Sequence, residues 1–342
     1  MAGRDAPAAV EGHRLNQGGP PTGPARILGI DIGGTKLLAA CLDERGELQS
    51  ERSANSPSTA DDLLEAVVDA AAHLCGGRPP VAVGMGIPGL IDSTGTVRIA
   101  PNLRGITGAP LSPALAERFP SSRRWVGNDA TAACWAEHSV GSAAGSDEVL
   151  LVTLGTGIGG GIVSGGRLVE GAHRFAGEIG HMVIDPDGPD CPCGKRGCWE
   201  RFASGEALAG FGKEAASTGK AARVLELCGG DIASLRGEHV TAAALEGDEG
   251  AVAIMDRYSW WVALGLANLA NTLDPELIVI GGGLVSAGDA LLGPVRRWFA
   301  QMVEAPDARE RTQIVLAALG HRAGAVGAAL LANDGGGSEP VR

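Results

Sequence analysis

Apolar residues in this chain come in short runs that end on glycine, and the spacing inside each run predicts its element. Residues 27–51, ILGIDIGGTKLLAACLDERGELQSE, read as an apolar strand, a Gly-Gly turn, a second apolar strand, a hairpin turn at residues 43–46 and a third strand. Over residues 61–74 the apolar positions recur at helical spacing, and Ser58 or Thr59 is placed to cap that helix. VAVGMGIPGLID, residues 81–92, predicts a buried strand running into a loop. Residues 111–119 predict a helix, and Arg124, Trp125 and Val126 a short strand that ends at Gly127, Asn128 and Asp129. Strands alternating with helices predict an α/β architecture, a sheet covered by helices.

The pattern then begins again. EVLLVTLGTGIGGGIV, residues 148–163, repeats the strand, glycine turn and strand of residues 27–38, which predicts an internal duplication. A third strand enters a glycine turn at ELIVIGGGLVSAG, residues 276–288, after a long helix over residues 251–272. Three strand-to-glycine turns in two similar halves predict a cleft between two domains, each lending backbone amides to one ligand. A length of 342 residues agrees with two domains. The longest apolar stretch, residues 260–273, is interrupted by Asn268 and Asn271 and falls short of the ~20 residues of a membrane span, so it reads as a buried helix. Residues 1–25 and 335–342 lack continuous apolar runs and are expected to be disordered tails, the first of them not a cleaved targeting segment.

Composition narrows the partners. A net charge of −12 argues against nucleic acid, which needs a clustered basic surface, and leaves anionic ligands dependent on local donors. In DIGGT, glycines Gly33 and Gly34 let main-chain amides approach a phosphate, Thr35 and Lys36 add side-chain donors, and Asp31 is suited to hold Mg²⁺ through water. Thr156 and Gly157 in LGTGIGGG offer the same from the opposite side. Either turn alone also fits ordinary hairpin geometry. Neither has the Gly-Lys-Ser/Thr of a Walker loop or the helix-opening GxGxxG of a dinucleotide site.

The densest chemistry lies between Gly177 and Glu200, where His181, Cys191, Cys193 and Cys198 form a Cys₃His set suited to tetrahedral Zn²⁺. Pro186, Pro189 and Pro192 with Gly188, Gly194 and Gly197 predict a loop that a metal can cross-link where apolar burial cannot. A disulfide is the alternative, but the total of seven cysteines is odd and no secretory signal precedes them. His73, His138, Cys41, Cys75, Cys134 and Cys228 lie in apolar or helical segments and are expected to pack.

Five motifs in order, DIGGT at 31–35, ND at 128–129, LGTGIGGG at 154–161, GEIGH at 177–181 and CPCGKRGCWE at 191–200, resemble the ROK family of sugar kinases and repressors, particularly its bacterial ATP-dependent glucokinases. The resemblance runs in register over residues 26–332. It implies a two-domain actin-like (ribonuclease-H-like) ATPase fold with an interdomain active-site cleft and a zinc-binding loop at residues 181–198. Residues 26–130 with a C-terminal helix near 320–334 would form the small domain, and residues 131–319 the large one. A cytoplasmic location and a homodimer or homotetramer are implied too, and an unidentified regulatory protein partner stays open.

Roles follow from the resemblance residue by residue. Asp129 is expected to take the proton of the glucose 6-hydroxyl as the ATP γ-phosphoryl group transfers. Asn128 would hydrogen-bond the sugar, and Glu178, His181 and Glu200 would grip its hydroxyls at the reducing end. The ATP phosphates, with Mg²⁺, would lie between the turns at Asp31 and Thr156, with the adenosine near Gly281, Gly282 and Gly283. Gly89 resembles a loop close to the sugar, and Gly127 and Gly320 are expected hinges. The residues alone also permit Asn128 and Asp129 as a helix cap and Glu178 and Glu200 as solvated carboxylates. Other readings are a kinase for another hexose or an N-acetyl amino sugar, a polyphosphate-driven enzyme, and a non-enzymatic sugar-binding protein. A sugar-responsive repressor is disfavoured, because no pair of apolar-periodic helices precedes Ile27.

Overall fold

The computed structural model describes residues 26–308 and 312–335; both predicted tails lie outside the described residues, save Gly335. The chain opens with the expected strands β1 (Ile27–Ile32), β2 (Lys36–Leu42) and β3 (Leu48–Asn55). Helix α1 (Ala60–Leu74) starts at Thr59, whose hydroxyl accepts the amide of Asp62, so of the two candidate caps Thr59 is the one used. Then come β4 (Ala82–Ile87), the small hairpin of β5 (Leu90–Ile91) and β6 (Val97–Ile99), α2 (Leu111–Arg118), β7 (Arg123–Asn128) and α3 (Asp129–Val140).

The second half repeats this order with β8 (Val149–Leu154), β9 (Ile158–Ser164) and β10 (Arg167–Leu168). A helical region follows: α4 (Glu200–Ala203), α5 (Gly205–Ser217), α6 (Ala222–Leu227), α7 (Gly237–Leu245) and α8 (Glu249–Leu273). The chain ends with β11 (Leu277–Gly281), α9 (Asp289–Met302), β12 (Gln313–Leu316) and α10 (Ala323–Asn333).

Two five-stranded sheets share one topology, β3-β2-β1-β4-β7 and β10-β9-β8-β11-β12. In each, a central strand pairs antiparallel with its hairpin partner on one side and parallel with a later strand on the other. The registers correspond: Asp31 lies opposite Gly86 in the first sheet, and Thr153 opposite Gly281 in the second. This is the duplication read from the sequence, and it places the glycine turns of both halves at corresponding strand ends. The architecture is the α/β, two-domain actin-like fold.

Three apolar layers hold it together. One covers the outer face of the first sheet under α1 and α2, and another the outer face of the second under α5 to α9. The middle layer joins both sheets through α3 and α10. Residues 323–332 of α10 are all buried, as expected of a helix apolar all round. Glycine permits the close approach: a Cβ at Gly84 would lie 1.8 Å from the Ala328 carbonyl oxygen, and one at Gly327 1.7 Å from that of Ala132. Cys41, Cys75 and Cys134 are buried as expected, whereas Cys228 is half-buried. His73 departs from its expected packing role: it lies on the exposed face of α1, where its Nδ1 meets the Asp69 carbonyl at 2.8 Å. A helical period alone does not tell which edge of the apolar stripe meets solvent.

Gly84→Ala is expected to lower the unfolding free energy by about 1–3 kcal/mol or more, because backbone of α10 must move. Gly210→Ala in α5, where a Cβ meets open space, is expected to raise it by about 0.5–1 kcal/mol. Urea titration of both variants checks the contrast, and equal effects would contradict the close packing of α10.

Candidate active site

The segment around residues 178–200 is held by backbone geometry and by one anchor. Gly197, at φ 67°, lies so near the Asp185 carbonyl that a Cβ would come within 1.5 Å of its oxygen. Cys191 donates its amide to the Lys195 carbonyl at 2.8 Å across a turn containing Gly194, φ 88°. Trp199 is the anchor: it is fully buried, and its indole N–H donates to the Trp261 carbonyl on α8 at 2.8 Å. These contacts hold Cys198 and Glu200 on either side of Trp199.

The four ligand atoms of His181, Cys191, Cys193 and Cys198 all lie within 4.8 Å of one another. A tetrahedral Zn²⁺ with bonds of about 2.3 Å to sulfur sets its ligand atoms roughly 3.8 Å apart. Cys193 and Cys198 place their sulfurs 3.6 Å apart, and the Cys191 sulfur lies 3.8 Å from His181 Nδ1. Donor chemistry and spacing therefore fit that ion. The Nδ1 edge of His181 faces the cysteines, with Glu200 Oε1 at 3.6 Å, and its Nε2 faces Glu178 Oε2 at 3.9 Å.

On the opposite wall, Asp129 is the first residue of α3, directly after β7. Asn128 caps the helix, accepting the Thr131 amide at 3.0 Å, while its Nδ2 donates to the Gly89 carbonyl at 3.2 Å. The helix-cap reading of Asn128 is therefore present in the structure, and it leaves Asp129 free to face the cleft. Burial pushes the Asp129 carboxyl up from the usual carboxylate range, against hydrogen bonds from the amides of Ala130 and its own residue. Burial, reinforced by the charge of Asp129, raises Asp31 to about 7. Glu178 is raised by burial and by Asp129 and Glu200, which outweigh the nearby His181. Asp129 is thus the carboxylate whose charge bears on both Asp31 and Glu178.

The glycine turns converge on the same space. Gly33 and Gly34 form the β1–β2 turn, closed by the Gly33 amide on the Lys36 carbonyl at 2.8 Å, and Thr35 and Lys36 are exposed there. In the second turn Thr156 is exposed, and a Cβ on Gly157 would come within 2.9 Å of Glu200 Oε2, so this turn abuts the cysteine-rich loop. Gly281 ends β11, and Gly282, φ 86°, packs on the backbone of Leu154 while Gly283 is open. Every predicted site residue thus lies on one of these adjoining elements. Reading the sequence did not single out Gly324, whose Cβ would come within 2.6 Å of the Asp31 carboxylate. Its signal was the run of small residues GHRAGAVGAA, legible as a closely packed helix but not as a neighbour of Asp31.

Residues 27–335 match the ROK family. A glucokinase of Streptomyces coelicolor is 38% identical over 310 residues, which cover 90% of this chain and 97% of that protein. An N-acetylmannosamine kinase of Citrobacter koseri is 36% identical over 310 residues, 89% of this chain and 98% of that one. The crystal structure of a ROK family glucokinase from Streptomyces griseus in complex with glucose and AMPPNP aligns with a TM-score of 0.81 at 38% identity, over 91% of this chain and 100% of that chain.

The raised pKa of Asp31 has a consequence for stability without ligands. The folded state holds this proton more tightly than the unfolded chain, so Asp31 favours unfolding increasingly as pH climbs from about 4 to 7, and fully above that. Asp31→Asn is therefore expected to match the parent protein below pH 4 and to be more stable near pH 8, by up to roughly 4 kcal/mol. Denaturant titrations across this range check it; a constant offset between the two proteins would contradict the burial argument.

Proposed function

The chain belongs to the ROK family, and we propose that it is a glucokinase that transfers the γ-phosphoryl group of ATP to the 6-hydroxyl of glucose. The observation that carries the reading is the meeting, at Asp129, of a phosphate-type glycine turn through Asp31 and a polyol-type carboxylate set through Glu178. In this reading residues 26–130 with 320–334 form the small domain, residues 131–319 the large one, and the cleft between them closes over the sugar to exclude water.

A sugar hydroxyl is a poor nucleophile. The enclosed Asp129 carboxylate, made more basic by burial, takes its proton as the oxygen–phosphorus bond forms and the bond from phosphorus to the ADP oxygen breaks. Asn128 holds the sugar beside that base, its side chain oriented by Thr131 and Gly89. Glu178, Glu200 and the Nε2 edge of His181 bind hydroxyls at the far end of the ring. The amides of Gly34 and Gly157, with Thr35, Lys36 and Thr156, cradle the phosphates, Gly33 shaping the turn with its own amide spent on the Lys36 carbonyl, and Gly281, Gly282 and Gly283 flank the adenosine. Asp31 would hold Mg²⁺ through water, and the ion would supply charge neutralisation at the transferring group.

Zn²⁺ bound by His181, Cys191, Cys193 and Cys198 would supply a fixed cross-link for a loop with little apolar burial. Were His181 to bind that ion through Nδ1, the edge facing Cys191, its Nε2 would carry the proton and could donate to the sugar. We place the enzyme in the cytoplasm as a homodimer or homotetramer, which agrees with reduced cysteines and with the finding that no helix among the described residues is long and apolar enough to cross a membrane. The similarity to an N-acetylmannosamine kinase favours a second reading in which the same machinery takes an amino sugar.

Sugar phosphate is to be measured by mass after incubation with Mg-ATP and each of glucose, mannose, N-acetylglucosamine and N-acetylmannosamine. Turnover with glucose is expected; turnover with an amino sugar alone would keep the mechanism and replace the substrate. Asp129→Asn is expected to lower kcat ~10²–10⁴-fold with little change in sugar affinity, and full activity would remove Asp129 as the base. Cys193→Ser is expected to lose stoichiometric zinc, to lower Tm and to weaken glucose binding together, because His181 belongs to both networks. A drop in Tm with unchanged glucose affinity would separate the metal from the sugar site.

A further inference from the structure

Glu137 is a fully buried carboxylate on α3, outside the cleft. Its four hydrogen bonds all come from neutral donors. Oε2 accepts the Ser142 amide at 2.8 Å, the Ser142 hydroxyl at 3.0 Å and the Ala318 amide at 3.1 Å; Oε1 accepts the Leu319 amide at 2.8 Å. Gly141 leaves room for it, since a Cβ there would come within 2.2 Å of Oε2. Burying a carboxylate is expensive, and a leucine would pack a helix at lower cost. What the carboxylate adds is satisfaction of amides in two segments that have left regular structure.

Those segments are the two passages of the chain between the sheets. Residues 141–143 follow the end of α3, which leads from β7 to β8, and residues 318–319 lead from β12 into α10. Each passage is tied to a carboxylate of the site. Helix α3 begins at Asp129, and the second passage enters α10, whose Gly324 lies against the Asp31 carboxylate. Between Leu319 and Gly324 the chain turns at Gly320, φ 55°, and Arg322 is held by Glu51 of β3 at 2.6 Å.

We propose that Glu137 is a positioning residue of the phosphoryl transfer: it clamps both interdomain passages to one carboxylate and so fixes the helix bearing Asp129 relative to the entry of α10 beside Asp31. This rests on the sugar-kinase reading. The clamp does not touch Glu178, His181 or Glu200, so its loss should misplace the base and the phosphate turn while the contacts at the far end of the sugar ring stay in place.

Glu137→Gln keeps the shape but turns one acceptor into an NH₂ group that faces backbone or hydroxyl donors. Kinetics are to be measured at 25 °C on the full chain, with zinc content and Tm recorded and hydrogen exchange followed at the amides of Ser142, Ala318 and Leu319 without sugar or nucleotide. The expected result is faster exchange at those three amides and a kcat lower by ~10-fold or more, with the KM for glucose within about twofold of the parent value. A lower Tm with kcat unchanged would overturn the proposal, because it would make Glu137 a stabilising residue only. Unchanged exchange would overturn the clamp itself. If the glutamine variant does not fold, Ser142→Ala removes a single donor, and a kcat loss in the same direction but smaller is expected; parental kcat in that variant would overturn the proposal. A parent protein that phosphorylates no sugar overturns the kinase reading and the catalytic role together, and the exchange data then decide the clamp alone.

Discussion

The approach of Asp129 to Asp31 depends on how closely α3 and α10 pack. Their contact is backbone against backbone, with Gly327 over the Ala132 carbonyl, and α10 lies on the first sheet at Gly29 and Gly84 with no side chain between. Such contact leaves little room for adjustment, because an interior packed to crystal density has nowhere to put a methyl group. Since α3 carries Asp129 at its first residue and α10 passes Asp31 at Gly324, this packing also sets the approach of the two carboxylates. The electrostatic coupling between them is thus a product of glycine placement far from any charge.

That coupling shapes what the cleft accepts. Asp31, Asp129 and Glu178 share a partly dry space with Glu200 nearby, and each of the first three is pushed towards its neutral form by burial. On the sugar-kinase reading a bare triphosphate would be disfavoured beside these carboxylates, whereas a divalent cation accompanying it would favour the charged form of Asp31. A neutral polyol meets no repulsion and finds acceptors for its hydroxyls. On that reading the same acidic set would discourage a nucleotide without its cation and admit a sugar, which suits a kinase that must keep hydrolysis low until both substrates are present.

Much of this was legible in the chain. Strands that end on glycine, repeated in two halves, predict the two sheets, and the Cys₃His spacing predicts the cluster at residues 181–198, because both signals are local. The hairpin of β5 and β6 and the helices α5 to α7 were not read; strands of two and three residues are too short to show an alternation. His73 was placed on the wrong side of its helix. Glu137 was invisible for another reason: two of the three amides it binds lie 181 and 182 positions away, and backbone donors leave no mark in residue types. Long-range polar contacts to main chain are thus the class of interaction that sequence reading misses most completely.

The cysteine-rich loop shows why the sugar end of the site is built differently from the phosphate end. The phosphate turns sit at strand ends and inherit rigidity from the sheets through the paired registers of β1 with β4 and β8 with β11. Glu178, His181 and Glu200 have no strand beneath them; they are borne by short 3₁₀ and α turns around a loop of proline and glycine. Trp199 ties only one end of that loop to α8. A loop so poor in apolar burial pays its ordering entropy through some other strong local interaction, and the four ligand atoms gathered there are the group able to supply it. Because His181 is one of the four, an interaction that ordered the loop would also orient a residue proposed to face the sugar, so on that reading the loop could not loosen without loosening the sugar site.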